Sequence, residues 1–104
     1  MSTEGRELPP PAGASTDADA TEMVRLWIGA GKSHVALNTG RFATEQEPQV
    51  WGLILADIAE HAIRDMIAAD PSLGPPDKLR KSIEKTYKIR LRKSLAAAAR
   101  GLLP

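Results

Sequence analysis

A proline-rich segment at residues 70–76 is the feature that most constrains this sequence, because it interrupts a C-terminal half that is otherwise helical in pattern. Pro71 disfavours helical geometry at the residue before it, so a helix must end near residue 69. Pro48 suits the first turn of a helix, where its missing N–H group would have no partner in any case. The sequence therefore predicts one helix from about residue 48 to 69 and a second from about 77 to 100.

The first of these helices has a wide apolar side. Its apolar positions recur at intervals of three and four residues, as they do in amphipathic helices. They are Trp51, Ile54, Leu55, Ile58, Ala59, Ala62, Ile63 and Met66. On the polar side, Glu60 and Arg64 are spaced for an ion pair. Thr44 and Glu47 have the spacing of a capping box, which would start the helix one turn earlier.

The polar side of the same helix carries a stripe of acidic residues around a histidine. Asp57, His61 and Asp65 are spaced four residues apart and lie on one face. A carboxylate one turn from an imidazole orients the ring or shares a divalent metal with it, and this would place a metal-dependent enzyme at His61. The alternative, which the sequence favours, is a solvated polar face.

The second helix has opposing apolar and basic faces. Asp77 suits its first turn because a negative charge is favourable at a helix N-terminus, and Gly101 is a stop signal. Its apolar positions are Leu79, Ile83, Tyr87, Leu91 and Leu95. We define the basic face as Lys78, Lys81, Lys85, Lys88 and Arg92. Such a face indicates a site for nucleic acid or another polyanion, with a solvated or salt-bridged surface as the alternative.

Residues ahead of the helices predict a β-hairpin, although a helix over residues 18–29 is a rival interpretation. Gly29-Ala30-Gly31-Lys32 is predicted as a four-residue loop, since its glycines permit unusual backbone angles. Strands near residues 22–29 and 33–38 flank that loop. The loop does not have the spacing of a phosphate-binding motif, so we reject nucleotide binding there.

Closing the hairpin on this loop gives a register that agrees with the apolar pattern. Leu26 then pairs with Val35, and the apolar residues of both strands share one face. Trp27 pairs with His34 on the other face. That pair is either ordinary cross-strand packing or a platform for a planar ligand, and packing is favoured because such pairs stabilise hairpins by themselves.

The expected architecture is an α+β fold: a β-hairpin packed on two amphipathic α-helices (ββαα). Residues 1–20, with three consecutive prolines and few apolar side chains, are predicted to be a disordered arm. Residues 21–104 are predicted to form a single small domain. No apolar run approaches the ~20 residues that a membrane span requires. The start of the chain lacks the pattern of a signal peptide, so we expect a cytoplasmic protein.

The amino-acid composition excludes several classes of site and indicates how charge is distributed along the chain. The chain has 104 residues and no cysteine, which excludes disulfides, thiol nucleophiles and thiolate metal sites. Residues 1–74 hold five basic and eleven acidic side chains, whereas residues 75–104 hold nine basic and two acidic. This asymmetry indicates either attraction between the two halves, within one fold or across a dimer, or a charged partner.

Three short patterns in this sequence resemble a family of bacterial proteins known only as a domain of unknown function. They are Arg25-x-Trp27, Gly31-x-x-His34-Val35-x-Leu37-x-x-Gly40, and Trp51-Gly52-x-x-Leu55-x-Asp57-x-x-x-His61. The resemblance covers about residues 20–70. It implies a bacterial α+β protein with a hairpin ahead of its helices, and it implies no activity.

The sequence therefore predicts a small structural or regulatory interaction protein that acts as a homodimer, with no cofactor and no membrane partner. A core of this size supplies only ~3–5 kcal/mol, and the apolar side of the first helix exceeds what one hairpin and one helix cover. The alternatives are polyanion binding through the basic face and, second, the metal-dependent enzyme at His61.

Overall fold

The computed structural model describes residues 5–99 and 101, and the chain divides between Thr44 and Glu45 into two compact units. The first unit contains an antiparallel hairpin and the second contains two long helices. This order confirms the predicted α+β class with a ββαα arrangement. The single domain over residues 21–104 stays a prediction.

The N-terminal segment contains one short helix, α1 (Ala12–Thr16), which follows Pro11. All of its residues are exposed, and no side chain caps its N-terminus. The Thr16 hydroxyl donates a hydrogen bond of 3.2 Å to the carbonyl of Gly13. The sequence contains no signal for this helix. The disorder of the arm stays a prediction, and residues 1–4 of it lie outside the described residues.

The hairpin consists of β1 (Val24–Gly29) and β2 (Lys32–Leu37). Its register is the predicted one, with Leu26 opposite Val35 and Trp27 opposite His34. The rival helix over residues 18–29 is therefore wrong. Alternation of apolar residues on both strands selects this register, because a shift by one residue would move every apolar side chain to the opposite face.

The turn between the strands is shorter than the sequence predicted. Gly29 pairs with Lys32, so the connection is the two residues Ala30 and Gly31 and not a four-residue loop. Both residues have left-handed backbone angles, with φ of 52° and 74°. Positive φ at both central positions is the signature of a type I′ turn, whose twist matches that of the flanking strands. The prediction missed this turn because alanine rarely adopts such an angle.

The first long helix, α2 (Glu47–Ala69), has the predicted bounds to within one residue. The capping box is wrong, since the N-cap is Gln46 and no side chain caps the helix. A capping box needs its glutamate at the third helical position, and Glu47 occupies the first. The Glu47 carboxylate instead accepts a hydrogen bond of 3.4 Å from the indole N–H of Trp51.

A 3₁₀ turn at Pro71–Leu73 joins the two long helices. The carboxylate of Asp70 accepts hydrogen bonds from the Ser72 hydroxyl at 2.6 Å and from the Ser72 backbone N–H at 3.1 Å. These bonds, the hydroxyl first, lower the pKa of Asp70. Asp70 thus ends α2 and caps the turn, as the proline after it requires.

The second long helix, α3 (Pro76–Ala99), begins one residue before the predicted start and contacts α2. Gly101 has a φ of 74°, and its backbone N–H donates to the Ala98 carbonyl at 3.0 Å. This geometry confirms the predicted stop, because glycine adopts the left-handed region freely at a helix C-terminus. The predicted last residue, Arg100, lies outside the described residues.

Candidate interaction surfaces

The apolar face of the hairpin is uncovered. Leu26, Ile28, Val35 and Leu37 are each more than half exposed. The antiparallel pairing places these side chains on one side of the two strands. A two-stranded sheet with an open apolar face is marginal in water, so this face is suited to contact with another surface.

The opposite face of the hairpin carries ion pairs and a cation–π contact. Arg25 binds the carboxylate of Glu22 at 2.7 Å and that of Glu7 at 3.3 Å. The bond from Arg25 lowers the pKa of Glu22, and the same pair raises the pKa of Arg25. The guanidinium of Arg6 lies 5.8 Å from the ring centre of Trp27, at cation–π distance. The predicted platform of Trp27 and His34 for a planar ligand stays a prediction.

An apolar groove of about 1450 Å³ runs between α2 and α3. Ala59, Ile63 and Ile67 of α2 are half-buried along it, as is Ile83 of α3. Tyr87 completes the apolar wall on α3. Because these residues recur at intervals of four, they form one stripe along each helix.

A second apolar stripe on α2 lies beside the half-buried one and is more exposed to solvent. Leu55 is 42% exposed, Ile58 is 49% exposed and Met66 is 36% exposed. At ~100° per residue these three lie on one face, beside the stripe that meets α3. We call Leu55, Ile58 and Met66 the α2 ridge. These three side chains belong to the wide apolar side that the sequence predicts for this helix.

Ion pairs form the edges of the groove. Arg80 binds Asp77 at 2.7 Å and Glu84 at 2.9 Å, all on α3. On α2, Arg64 binds Glu60, which confirms the predicted pair. The pKa of Asp77 is lowered, first by its hydrogen bond from Arg80 and then by that from Lys81. The charged edges are therefore neutralised within each helix and leave the apolar floor as the distinctive feature.

The sequence analysis missed Arg80, which pairs with two carboxylates and lines the groove. The signal was present, because Asp77, Arg80 and Glu84 are spaced by three and four residues, which are the intervals that bring side chains together on a helix.

The basic face of α3 is largely unpaired. Lys81 binds Asp77 at 3.3 Å. Within residues 5–99 and 101, the other four members of the face form no ion pair. Every ion pair of α3 in that part of the chain is internal to α3. The binding of a polyanion and the attraction between the two halves of the chain stay predictions.

The acidic–histidine stripe does not assemble a site in the described residues. The Nδ1 of His61 hydrogen-bonds the backbone carbonyl of Asp57 at 2.8 Å, and not its carboxylate. Within residues 5–99 and 101, no three histidine, aspartate or glutamate side chains come together to hold a metal ion. Asp65 lies one turn further along and bonds neither of them. His61 is therefore a surface residue of α2 whose ring is held by its own helix.

No helix in the described part of the chain, including α2 and α3, is both long enough and apolar enough to cross a bilayer.

Comparison with known proteins gives a structural relative and a family. A search of curated proteins finds no match. Four chains of solved structures match, and one of them has a TM-score of 0.64 and 28% sequence identity, over 86% of this chain and 86% of that chain. It is described as the structure of "a putative pyruvate dehydrogenase from the photosynthetic bacterium Rhodopseudomonas palustrus CGA009". A family model matches residues 7–94, which include the hairpin, α2 and most of α3, and the chain belongs to this family, Domain of unknown function (DUF5076).

Proposed function

We propose that this protein is a small structural or regulatory interaction protein that acts as a homodimer. The observation that carries the proposal is the absence of any buried side chain in the part of the chain that the structure describes. The hairpin face, the α2 ridge and the apolar positions of α3 are all partly open to water. Apolar surface on this scale marks an interface in a stable protein.

The symmetry of common protein assemblies supports the same proposal. A second copy of the chain has the same exposed apolar surface, and dimers with two-fold symmetry are the commonest assembly of soluble proteins.

Sedimentation equilibrium tests the proposal directly. We expect a dimer mass at micromolar concentration, and a melting temperature that rises with protein concentration because only the folded dimer gains from mass action. A tenfold increase in concentration adds ~1.4 kcal/mol to the apparent stability. A monomer mass at tens of micromolar, with a melt that does not depend on concentration, overturns the homodimer.

A second candidate function is polyanion binding through the basic face. Four of its five cations have no ion pair in the described residues, and this leaves them open to phosphate groups. Neutralisation of phosphates releases counterions, so the logarithm of affinity falls by ~0.9 for each contact per logarithm of salt concentration.

Two charge reversals on α3 form a matched test of the second candidate. Lys88→Glu alters the basic face, whereas Arg90→Glu makes the same charge change about 160° away on the same helix. We expect Lys88→Glu to weaken retention of duplex DNA and to flatten its salt dependence more than Arg90→Glu does. Equal effects of the two variants, or no retention of the parent protein at low salt, contradict polyanion binding.

Pyruvate dehydrogenase activity is not part of the proposal, although the structural relative carries that description. Residues 5–99 and 101 contain no cluster of three acidic or histidine side chains that could hold a metal ion. The same observation disfavours a metal-dependent enzyme at His61.

The proposal also places the protein in the bacterial cytoplasm. The structural relative comes from a bacterium. The sequence has no cysteine, which is compatible with a reducing compartment where disulfides are rare. Fractionation of cells that express the tagged chain tests this placement, and a periplasmic or membrane-bound product contradicts it.

A further inference from the structure

The groove between α2 and α3 is the surface from which a more specific inference can be drawn. Its volume of about 1450 Å³ exceeds the ~300–1,000 Å³ typical of small-molecule pockets. Its floor is apolar and it is open along both helices. A Cβ built on Gly52, which lines the groove, would meet no atom within 4 Å. An occupant the size of an α-helix, ~10–12 Å in diameter, fits this shape better than a small ligand does.

The charges along the groove indicate what kind of helix would occupy it. The edges carry Glu60, Asp77 and Glu84 together with Arg64 and Arg80, and these groups already bind one another. Neither a strongly acidic nor a strongly basic partner gains from edges that are neutralised in this way. Two copies of such a surface do not repel each other, so the charge pattern is complementary to itself.

The layout of the apolar surface provides a second argument for a second copy. Leu55 and Ile58 of the α2 ridge line the groove, and Met66 lies next to them on the same face of α2. A two-fold interface uses the same patch on both partners, so a patch that joins exposed apolar side chains to an apolar recess can pair with its own copy. The ridge of one protomer can enter the groove of the other, while its own groove receives the partner's ridge.

We infer that the two copies of this protein meet through the α2 ridge and the α2–α3 groove in an isologous, helix-to-helix interface. The inference rests on the proposed homodimer and specifies where it forms. The basic face lies outside the interface, because Lys85 is about 160° from Tyr87 on α3. The assembly would therefore leave two basic faces open to solvent.

Two truncations on α2 test the inference. Ile58→Ala removes a side chain of the ridge that is 49% exposed, and Leu53→Ala removes an isomeric side chain that is 67% exposed. Leu53 lies about 140° around the helix from Ile58 and does not line the groove. Alanine is the best helix former, so both variants keep α2 intact. Glutamate at the same two positions is the stronger version of the pair.

Dimer dissociation constants from sedimentation give the result. We expect Ile58→Ala to raise the constant at least tenfold and Leu53→Ala to change it less than twofold, with equal helix content by circular dichroism. If the parent protein is a dimer and both variants match it, the interface lies elsewhere, as on the hairpin face, and the inference fails while the homodimer stands. If the parent protein is a monomer at tens of micromolar, both fail and the groove is left for a different protein.

Discussion

The hairpin turn gives a prediction that separates backbone strain from every other effect of a substitution. Ala30 and Gly31 have φ of 52° and 74°, whereas Gly29 does not lie in the left-handed region. A Cβ added at Gly29 or at Gly31 would meet no atom within 4 Å. Replacing either glycine by alanine is therefore free of steric contact, and the two variants differ in backbone angle alone.

The expected magnitude follows from this comparison. Glycine-to-alanine substitution stiffens the unfolded chain equally at both positions and by itself stabilises by ~0.4–1 kcal/mol. Only Gly31→Ala also places an L-residue in the left-handed region, at a cost of ~1–2 kcal/mol. The unfolded-state contribution cancels between the variants, so Gly31→Ala should be ~1–2 kcal/mol less stable than Gly29→Ala. Ala30→Asn should gain ~0.5–1 kcal/mol, because asparagine tolerates this angle and Asn-Gly is the favoured type I′ pair.

Amide hydrogen exchange in β1 and β2 is the assay, since it reports opening of the hairpin alone. The difference between the two glycine variants corresponds to a ~5–30-fold difference in protection. Ala30→Asn should increase protection above that of the parent protein. Equal protection in Gly29→Ala and Gly31→Ala would refute the assignment of a left-handed turn at residues 30 and 31.

Two further predictions concern the helices. The pKa of Asp77 is lowered by its hydrogen bond from Arg80, so its contribution to stability is present above the ordinary aspartate pKa of ~3.9 and is lost as pH falls through the lower value in the folded state. Carboxyl-carbon NMR should give a titration midpoint for Asp77 below the ordinary value that rises in Arg80→Gln, and an identical midpoint in the two proteins would exclude this cause. For His61→Ala we expect a stability change within about 0.5 kcal/mol and no melting response of either protein to zinc or manganese. A metal-induced rise in melting temperature that the variant loses would restore the metal site.

The sequence predicted the strand pairing of the hairpin but not the length of its turn. The strand pairing follows from alternation together with the position of the glycine-containing turn, which bring Leu26, Val35 and their apolar neighbours to one face. The length of the turn is a different matter. Gly29-Ala30-Gly31-Lys32 is compatible with a loop of four residues or of two, and the choice depends on whether Ala30 accepts a strained angle. The identity of these residues does not show whether the backbone of Ala30 adopts a left-handed angle.

The candidate site was predicted less completely than the fold. The basic face on α3 follows from residue spacing, and so does the pair of Glu60 and Arg64. The spacing of Asp57, His61 and Asp65 suggested that the imidazole would meet a carboxylate. The ring of His61 instead hydrogen-bonds a backbone carbonyl, which is present at every residue of a helix. Residue spacing shows which side chains share a face of a helix, but it does not show which hydrogen-bond acceptor each side chain binds.

The sequence by itself determined the two long helices, their ends and the pairing of the strands, because each depends on interactions between residues that are close along the chain or related by a simple period. Proline at residues 48 and 71 bounds α2, and Gly101 ends α3. Only the tertiary structure decided which stripe of α2 meets α3. The wide apolar side of α2 allowed several rotations of the helix, and the structure buries part of Ala59, Ile63 and Ile67 while leaving the α2 ridge open. A local periodicity places apolar residues on one side of a helix and carries no information about the angle at which that side meets a neighbouring helix.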